Sequence, residues 1–292
     1  MARVACSPAG WHGHGLSFER ILDGVADTGY AGVEANRQAF ETFSQEVPRL
    51  RALLAERTLR LTAGALVATF FDKDELPAER LALRRVGDFM AEVNEGAIVL
   101  FRTPQHPARR DMVAGEPPLL PLSVDRLGRL ADTLNEFGDR CRDWGLIGAV
   151  QNRVGTYLET PDEYTEVIQR TDPALVWLAP DLGHWTYAGG DVESLIALER
   201  QRIVYPRLKG FDHSVFETIA AERLGFTQFV QSDGFPPLDE GTLDLEAALM
   251  PFEKAEFGGW VCVELDPGSV YADDPRACAQ RSREFLRSRL HW

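Results

Sequence analysis

The chain has 292 residues, with 31 Lys and Arg against 45 Asp and Glu, a formal net charge of −14. This acid excess argues against nucleic acid as the main partner, because phosphate backbones are held by clustered Lys and Arg, and against a polybasic membrane-surface role. The hydrophobic fraction of 45% is ordinary for a globular fold with a large core, and no apolar run approaches the roughly 18 residues of a membrane span.

Short β-rich runs alternate with longer helical patterns. Val4–Cys6 is apolar and is ended by Ser7-Pro8, and Ser17 reads as an N-cap followed by Ile21, Leu22 and Val25 at helical spacing. Gly32–Ala35 reads as a second strand, 41–57 as a single helix, Leu59–Leu66 as a third strand and Pro77–Val93 as a helix with Pro in its first turn. Ala97–Phe101 is a fourth strand. The Pro-rich segment 103–122 is long for a compact domain and so is a candidate active-site loop. Helix Ser123–Asp143, strand Leu146–Gln151, helix Pro161–Thr171 and strand Leu175–Ala179 follow. Asp191 caps a helix to Arg200, Ile203–Lys209 is a seventh strand, and a loop with short helical signals runs to Thr242. Helix Leu243–Ala255, strand Trp260–Glu264 and helix Asp274–Arg289 complete the chain.

Eight strand–helix units in series call for a parallel sheet with right-handed crossovers. At this length a closed (β/α)₈ barrel, one domain over residues 1–292, is the expected α/β architecture. An open doubly wound sheet is the alternative, weakened because no G-x-G-x-x-G opens the first helix. The four cysteines, Cys6, Cys141, Cys262 and Cys278, form no C-x-x-C pair and read as reduced thiols. The N-terminus turns polar before any apolar stretch develops. A cytoplasmic protein without a signal peptide is the resulting expectation.

A barrel builds its active site from the C-terminal ends of its strands. Side chains at i, i+2 and i+4 share a face. Tyr205, Arg207 and Lys209 therefore point one way on strand seven, and Val204 and Leu208 point to the helix layer. Trp260, Cys262 and Glu264 align on strand eight, Trp177, Ala179 and Asp181 on strand six, and Ala149, Gln151 and Arg153 on strand five. Polar ends thus converge on the inward face of four strands, where a solvated surface would scatter them over both. Each residue also has an ordinary structural explanation: Asp181 as a helix cap, Glu34, Arg207 and Lys209 as rim ion pairs, and His184 as a loop hydrogen-bonder. His12 and His14 read as loop residues.

Several segments resemble the xylose isomerase-like barrel superfamily of sugar-phosphate isomerases and epimerases, and within it the inosose (2-keto-myo-inositol) dehydratases. They are Ser7–Trp11, Ser17–Leu22 through Gly29–Glu34, Gly155–Thr160, Asp181–His184 with Ala188–Asp191, Arg202–Lys209 and Gly259–Glu264. The resemblance implies a divalent metal between a Glu on strand five, an Asp on strand six, a His on strand seven and a Glu on strand eight. Asp181 and Glu264 match, but Gln151 stands for the first Glu and Arg207 for the His, and Gly210 replaces the Asp that commonly follows the Lys. Arg has no lone pair for a metal. The two exchanges add two positive units, the charge of the missing ion. The expectation is that Arg207 takes the metal's place and pairs with Asp181 and Glu264. Mn, Co or Zn is expected to be absent, with Asp181, Glu264 and Gln151 the ligands if one binds.

The resemblance implies removal of a proton beside the carbonyl of a keto-polyol or cyclic hydroxyketone, as in a lyase (dehydratase) or isomerase. The expected catalytic groups are Glu264 or Glu34 as base, Lys209 or His184 as acid, and Arg207 and Arg153 as oxyanion stabilisers, with Asp181 beside them. Gln151, Arg153, Trp11, Trp185 and Tyr205 are the expected substrate contacts. The rival readings are a sugar epimerase and a non-catalytic barrel that binds a small anion. A small-molecule substrate is expected in every case, and the family's habits allow a homo-oligomer.

Overall fold

The computed structural model describes residues 2–266 and 268–292. Eight parallel strands form the sheet: β1 (Arg3–Cys6), β2 (Gly32–Ala35), β3 (Arg60–Val67), β4 (Ile98–Arg102), β5 (Ile147–Val150), β6 (Trp177–Leu178), β7 (Arg207–Leu208) and β8 (Trp260–Val263). Their order is β6-β5-β4-β3-β2-β1-β8-β7. Two parallel bridges, Leu178 to Ile203 and Asp181 to Arg207, join the ends and close the barrel. The seventh strand is shorter than the expected Ile203–Lys209, and Pro206, which has no N–H to donate, lies immediately before its ordered pair.

Strand alternation separates two apolar layers. Ala5, Ala63, Ile98, Leu100, Ala149, Ala179, Tyr205, Trp260 and Cys262 fill the barrel interior. Val33, Leu61, Val99, Val150, Leu178, Leu208 and Val261 face the surrounding helices. Val204 departs from the alternation and packs on the interior cluster. Leu208 faces outward as expected.

Most helix starts follow the side chains that cap them. The Ser17, Ser123, Asp191 and Asp274 side chains accept from the first-turn amides of Phe18–Asp27, Val124–Asp143, Val192–Glu199 and Pro275–Arg289. The helix expected over 41–57 is instead two, Arg37–Phe43 and Val47–Glu56. Pro48 lies in the first turn of the second, the position where a missing N–H costs nothing, and it could not have continued the first. A short helix, Leu182–Tyr187, starts three residues after β6, and helices His213–Ala221 and Phe226–Gln231 occupy the segment read as a loop to Thr242. No helix among the described residues is long and apolar enough to cross a membrane.

Candidate active site

A cavity of about 510 Å³ opens at the C-terminal mouth of the barrel. Glu34 from the end of β2, Arg102 from β4, Arg153 after β5 and Glu264 after β8 line it, with His12 and Asn36 at its edge. Below it lies a buried charge network. The Arg207 guanidinium donates to Glu34 through one terminal nitrogen and to Glu264 through the other. Its Nε stands 3.6 Å from Asp181 Oδ2. Lys209 donates to Glu264 and lies 3.9 Å from both Asp181 and Asp266. Arg153 Nη1 reaches within 3.9 Å of Glu264. Arg102 donates through Nε to Gln151 Oε1 at 2.6 Å.

Arg207 thus sits among the acids as expected, with one correction. Its fork grips Glu34 and Glu264, while Asp181 faces the Nε edge. The reason is local. Asp181 Oδ1 accepts the His184 amide at 3.2 Å, which caps the helix after β6 and turns that oxygen away from the fork. Asp181 is therefore both a helix cap and a member of the network. Asn152 clamps its backbone, accepting from the Asp181 amide at 2.8 Å.

Burial sets the electrostatics. The Lys209 ammonium is pulled down to about 8, first by burial, against the opposing pull of Asp181 and Asp266. Burial pushes the Asp181 carboxyl up, and Lys209, Arg153 and Arg102 resist it. Arg102 is drawn down to about 10 by burial and then by Arg153. Burial, with the charges of Arg153, Lys209 and Arg102, holds His184 well below the usual imidazole value. The Val154 amide donates to His184 Nδ1 at 3.4 Å, which assigns the proton of the neutral ring to Nε2, 4.0 Å from Asp181 Oδ2.

Not every expected site residue reaches the mouth. Arg207, Lys209, Asp181 and His184 are almost fully buried beneath it. Tyr205 lies inside the barrel and shares a 2.8 Å hydrogen bond with Thr62. Trp11 belongs to the outer core, and Trp185 packs there too, with Nε1 donating to Asp191 O at 3.1 Å. None of these three aromatics lines the cavity. Arg102 and Asp266 were missed by the sequence reading. Arg102 shares the inward face of β4 with Ile98 and Leu100, so its alternation could have identified it. Gly210 has a steric cause: a Cβ there would collide with the Pro236 carbonyl, so an Asp does not fit.

The donor set does not fit the divalent metal that the resemblance implies. A guanidinium is bound to two of the acids, and Gln151 is engaged by a second one. No group of three or more His, Cys, Asp or Glu among the described residues is placed to hold an ion.

Residues 22–289 match the family model described as the xylose isomerase-like TIM barrel. The chain is 26% identical over 297 residues to the inosose dehydratase of Geobacillus kaustophilus (strain HTA426), covering 99% of this chain and 95% of that one. Its fold is similar to that of the probable 3-DHS dehydratase involved in petrobactin synthesis from Bacillus anthracis, with TM-score 0.74, 11% identity and coverage of 97% and 98% of the two chains. It is also similar to the IOLI protein solved with a zinc atom, with TM-score 0.72, 15% identity and coverage of 99% and 98%. The matched span takes in seven of the eight strands, together with every acid and cation of the network, and the chain therefore belongs to the xylose isomerase-like TIM barrel family.

Proposed function

We propose that this chain is a dehydratase acting on a cyclic hydroxyketone or keto-polyol, and that a guanidinium network does the electrostatic work in it. The observation that carries this is the mouth cavity, where two carboxylates, Glu34 and Glu264, face two guanidinium groups, Arg102 and Arg153. Full-length similarity to an inosose dehydratase supports the same reaction class.

Glu34 is the base in this reading. Its Oε1 is held by Arg207, which fixes the carboxylate at the cavity wall, whereas both Glu264 oxygens are engaged by cations. The Glu34 carboxylate takes the proton from the carbon next to the ketone, and the C–H electron pair forms the enediolate. Arg102 and Arg153 stabilise its oxyanion by charge-assisted hydrogen bonds. The enediolate electrons then expel the hydroxyl on the neighbouring carbon. That hydroxyl takes the proton back from Glu34 and leaves as water, so no oxidant or reductant is consumed. Glu264, Arg207, Lys209 and Asp181 are positioning residues that fix the charges around the base: Glu264 at the cavity wall, the other three beneath it. His184, neutral and buried, supports Asp181. The four free, buried cysteines suit a reducing compartment, and we place the protein in the cytoplasm.

The test is solvent deuterium exchange at the α-carbon of 2-keto-myo-inositol and related cyclic hydroxyketones, followed by NMR in the presence of a chelator. Exchange and loss of water that persist with chelator, and disappear in Glu34→Gln, are the expected results. Binding without exchange would identify a non-catalytic barrel, and exchange with an inverted, undehydrated product would identify an epimerase.

A further inference from the structure

The opposite end of the barrel, where the strands begin, carries a second cavity of about 550 Å³ that shares no lining residue with the mouth. Arg3 from the start of β1, Arg60 from the start of β3 and Arg200 just after helix Val192–Glu199 line it. All three are exposed, and none forms an ion pair among the described residues, although the chain has 45 acids for 31 bases. Each is anchored by one terminal nitrogen on a neutral acceptor. Arg3 Nη2 donates to Gly258 O at 3.2 Å, Arg60 Nη2 to Asn94 Oδ1, and Arg200 Nη1 to Pro251 O at 3.3 Å. Arg60 Nη2 also reaches Glu95 O at 3.4 Å. The other guanidinium N–H groups of the three have no protein partner among the described residues, so they are open to a ligand. The Arg3 guanidinium carbon lies 4.5 Å over the Trp260 ring, which fixes its plane. Arg3 is drawn below the usual arginine value by burial and then by the charge of Arg60, so these two cations repel each other across the floor.

The charge count selects the ligand. Glu95 is the one acid in the lining, which leaves two positive units unmatched, the charge of a dianion. A phosphate monoester carries about −1.5 to −2 near neutral pH and has three terminal oxygens, one for each guanidinium. Guanidinium forks match phosphate oxygens in geometry as well as charge. Ile147, Val204 and Phe257 line the same cavity and are only half-buried, so an apolar wall stands beside the cations.

We propose that this floor cavity binds a small organic phosphate, with Arg3, Arg60 and Arg200 on the phosphoryl oxygens and the apolar wall against the organic group. The volume suits a compact ligand. The site stands independently of the reaction proposed for the mouth.

Titration calorimetry on the whole protein tests it, with phenyl phosphate as the probe and its two halves, inorganic phosphate and phenol, as comparisons. Phenyl phosphate is expected to bind saturably at one site, and each half at least about tenfold more weakly, because one lacks the apolar group and the other the charge. Arg60→Gln and Arg200→Gln are each expected to cut phenyl phosphate affinity about tenfold, the worth of one charge-assisted contact. Both positions are exposed, so denaturation midpoints should match the wild type and separate this loss from one of folding. Arg153→Gln, at the mouth, should leave the affinity unchanged. The proposal is overturned if either half binds as tightly as the whole probe, if both floor variants leave binding intact, if the loss falls on Arg153→Gln instead, or if no saturable binding is seen.

Discussion

Replacing Arg207 by Leu removes the guanidinium that joins two buried carboxylates. Arg207 is fully buried, and the Glu34 and Glu264 side chains are only 6% and 5% exposed, so water from the mouth replaces the lost partner only in part. Glu264 keeps Lys209, but Glu34 loses the cation that holds its Oε1. Breaking a buried pair from one side costs about 3–5 kcal/mol, a large part of the roughly 5–15 kcal/mol of a typical domain. Arg207→Lys keeps the charge but not the two-pronged grip, and about 1–3 kcal/mol is expected for the lost hydrogen bond. Urea unfolding at mildly alkaline and mildly acidic pH measures both. An orphaned carboxylate escapes its penalty by taking up a proton, so the Leu variant should lose least at acidic pH. A loss below about 1 kcal/mol, or one that does not change with pH, would refute the view that this guanidinium neutralises the acids.

Glu34→Gln is expected to lower kcat by about 10²–10⁴ with KM little changed, because it removes a proton acceptor and not a binding contact. Glu264→Gln should raise KM as well, since three cations, Arg207, Lys209 and Arg153, lean on that carboxylate; steady-state kinetics separates the two variants. Burial lowers Lys209 from 10.5 to about 8, so between those values the unfolded chain binds the extra proton and stability rises with pH. Lys209→Met should flatten that rise in denaturation midpoints measured across the same range. Tyr205→Phe removes an interior hydrogen bond to Thr62, and about 1 kcal/mol of stability should be lost with kcat unaffected.

The inward row of polar strand ends was readable from alternation alone, because a barrel strand has one face for the interior and one for the helices. That rule placed Glu264, Arg207, Lys209, Asp181 and Gln151 in one network. The same alternation holds to the end of β4, which runs one residue beyond Phe101 and so delivers Arg102 to the mouth. Alternation also says nothing about depth along a strand. Tyr205 shares a face with Arg207, yet it sits one layer lower, in the core. Trp11 and Trp185 lie near site motifs in the chain, but the turns that follow β1 and β6 carry them outward. The long loop was singled out by its length, but its destination depends on partners distant in sequence, such as the bridge between Val113 and Gly225. With Arg102 and Asp266 added, four cations (Arg102, Arg153, Arg207, Lys209) meet four acids (Glu34, Asp181, Glu264, Asp266), and the near-neutral centre persists inside a chain of net charge −14.

The barrel's last join is an interrupted one. Between β6 and β7 the pairing consists of two isolated bridges, Leu178 to Ile203 and Asp181 to Arg207, where the other neighbouring strands pair through at least two consecutive residues. The second bridge is made by two residues of the charge network, and the Arg207 amide donates to Pro180 O at 2.8 Å across the same seam. The ion cluster therefore acts as a clasp: Asp181 and Arg207, which meet in the charge network, also pair across the seam that closes the cylinder. A fluctuation that parts the seam would also separate Asp181 from Arg207. If the proposed reaction runs at this mouth, its charges depend on the same seam that closes the barrel, and amide exchange along β6 and β7 should be suppressed by a ligand that occupies the mouth.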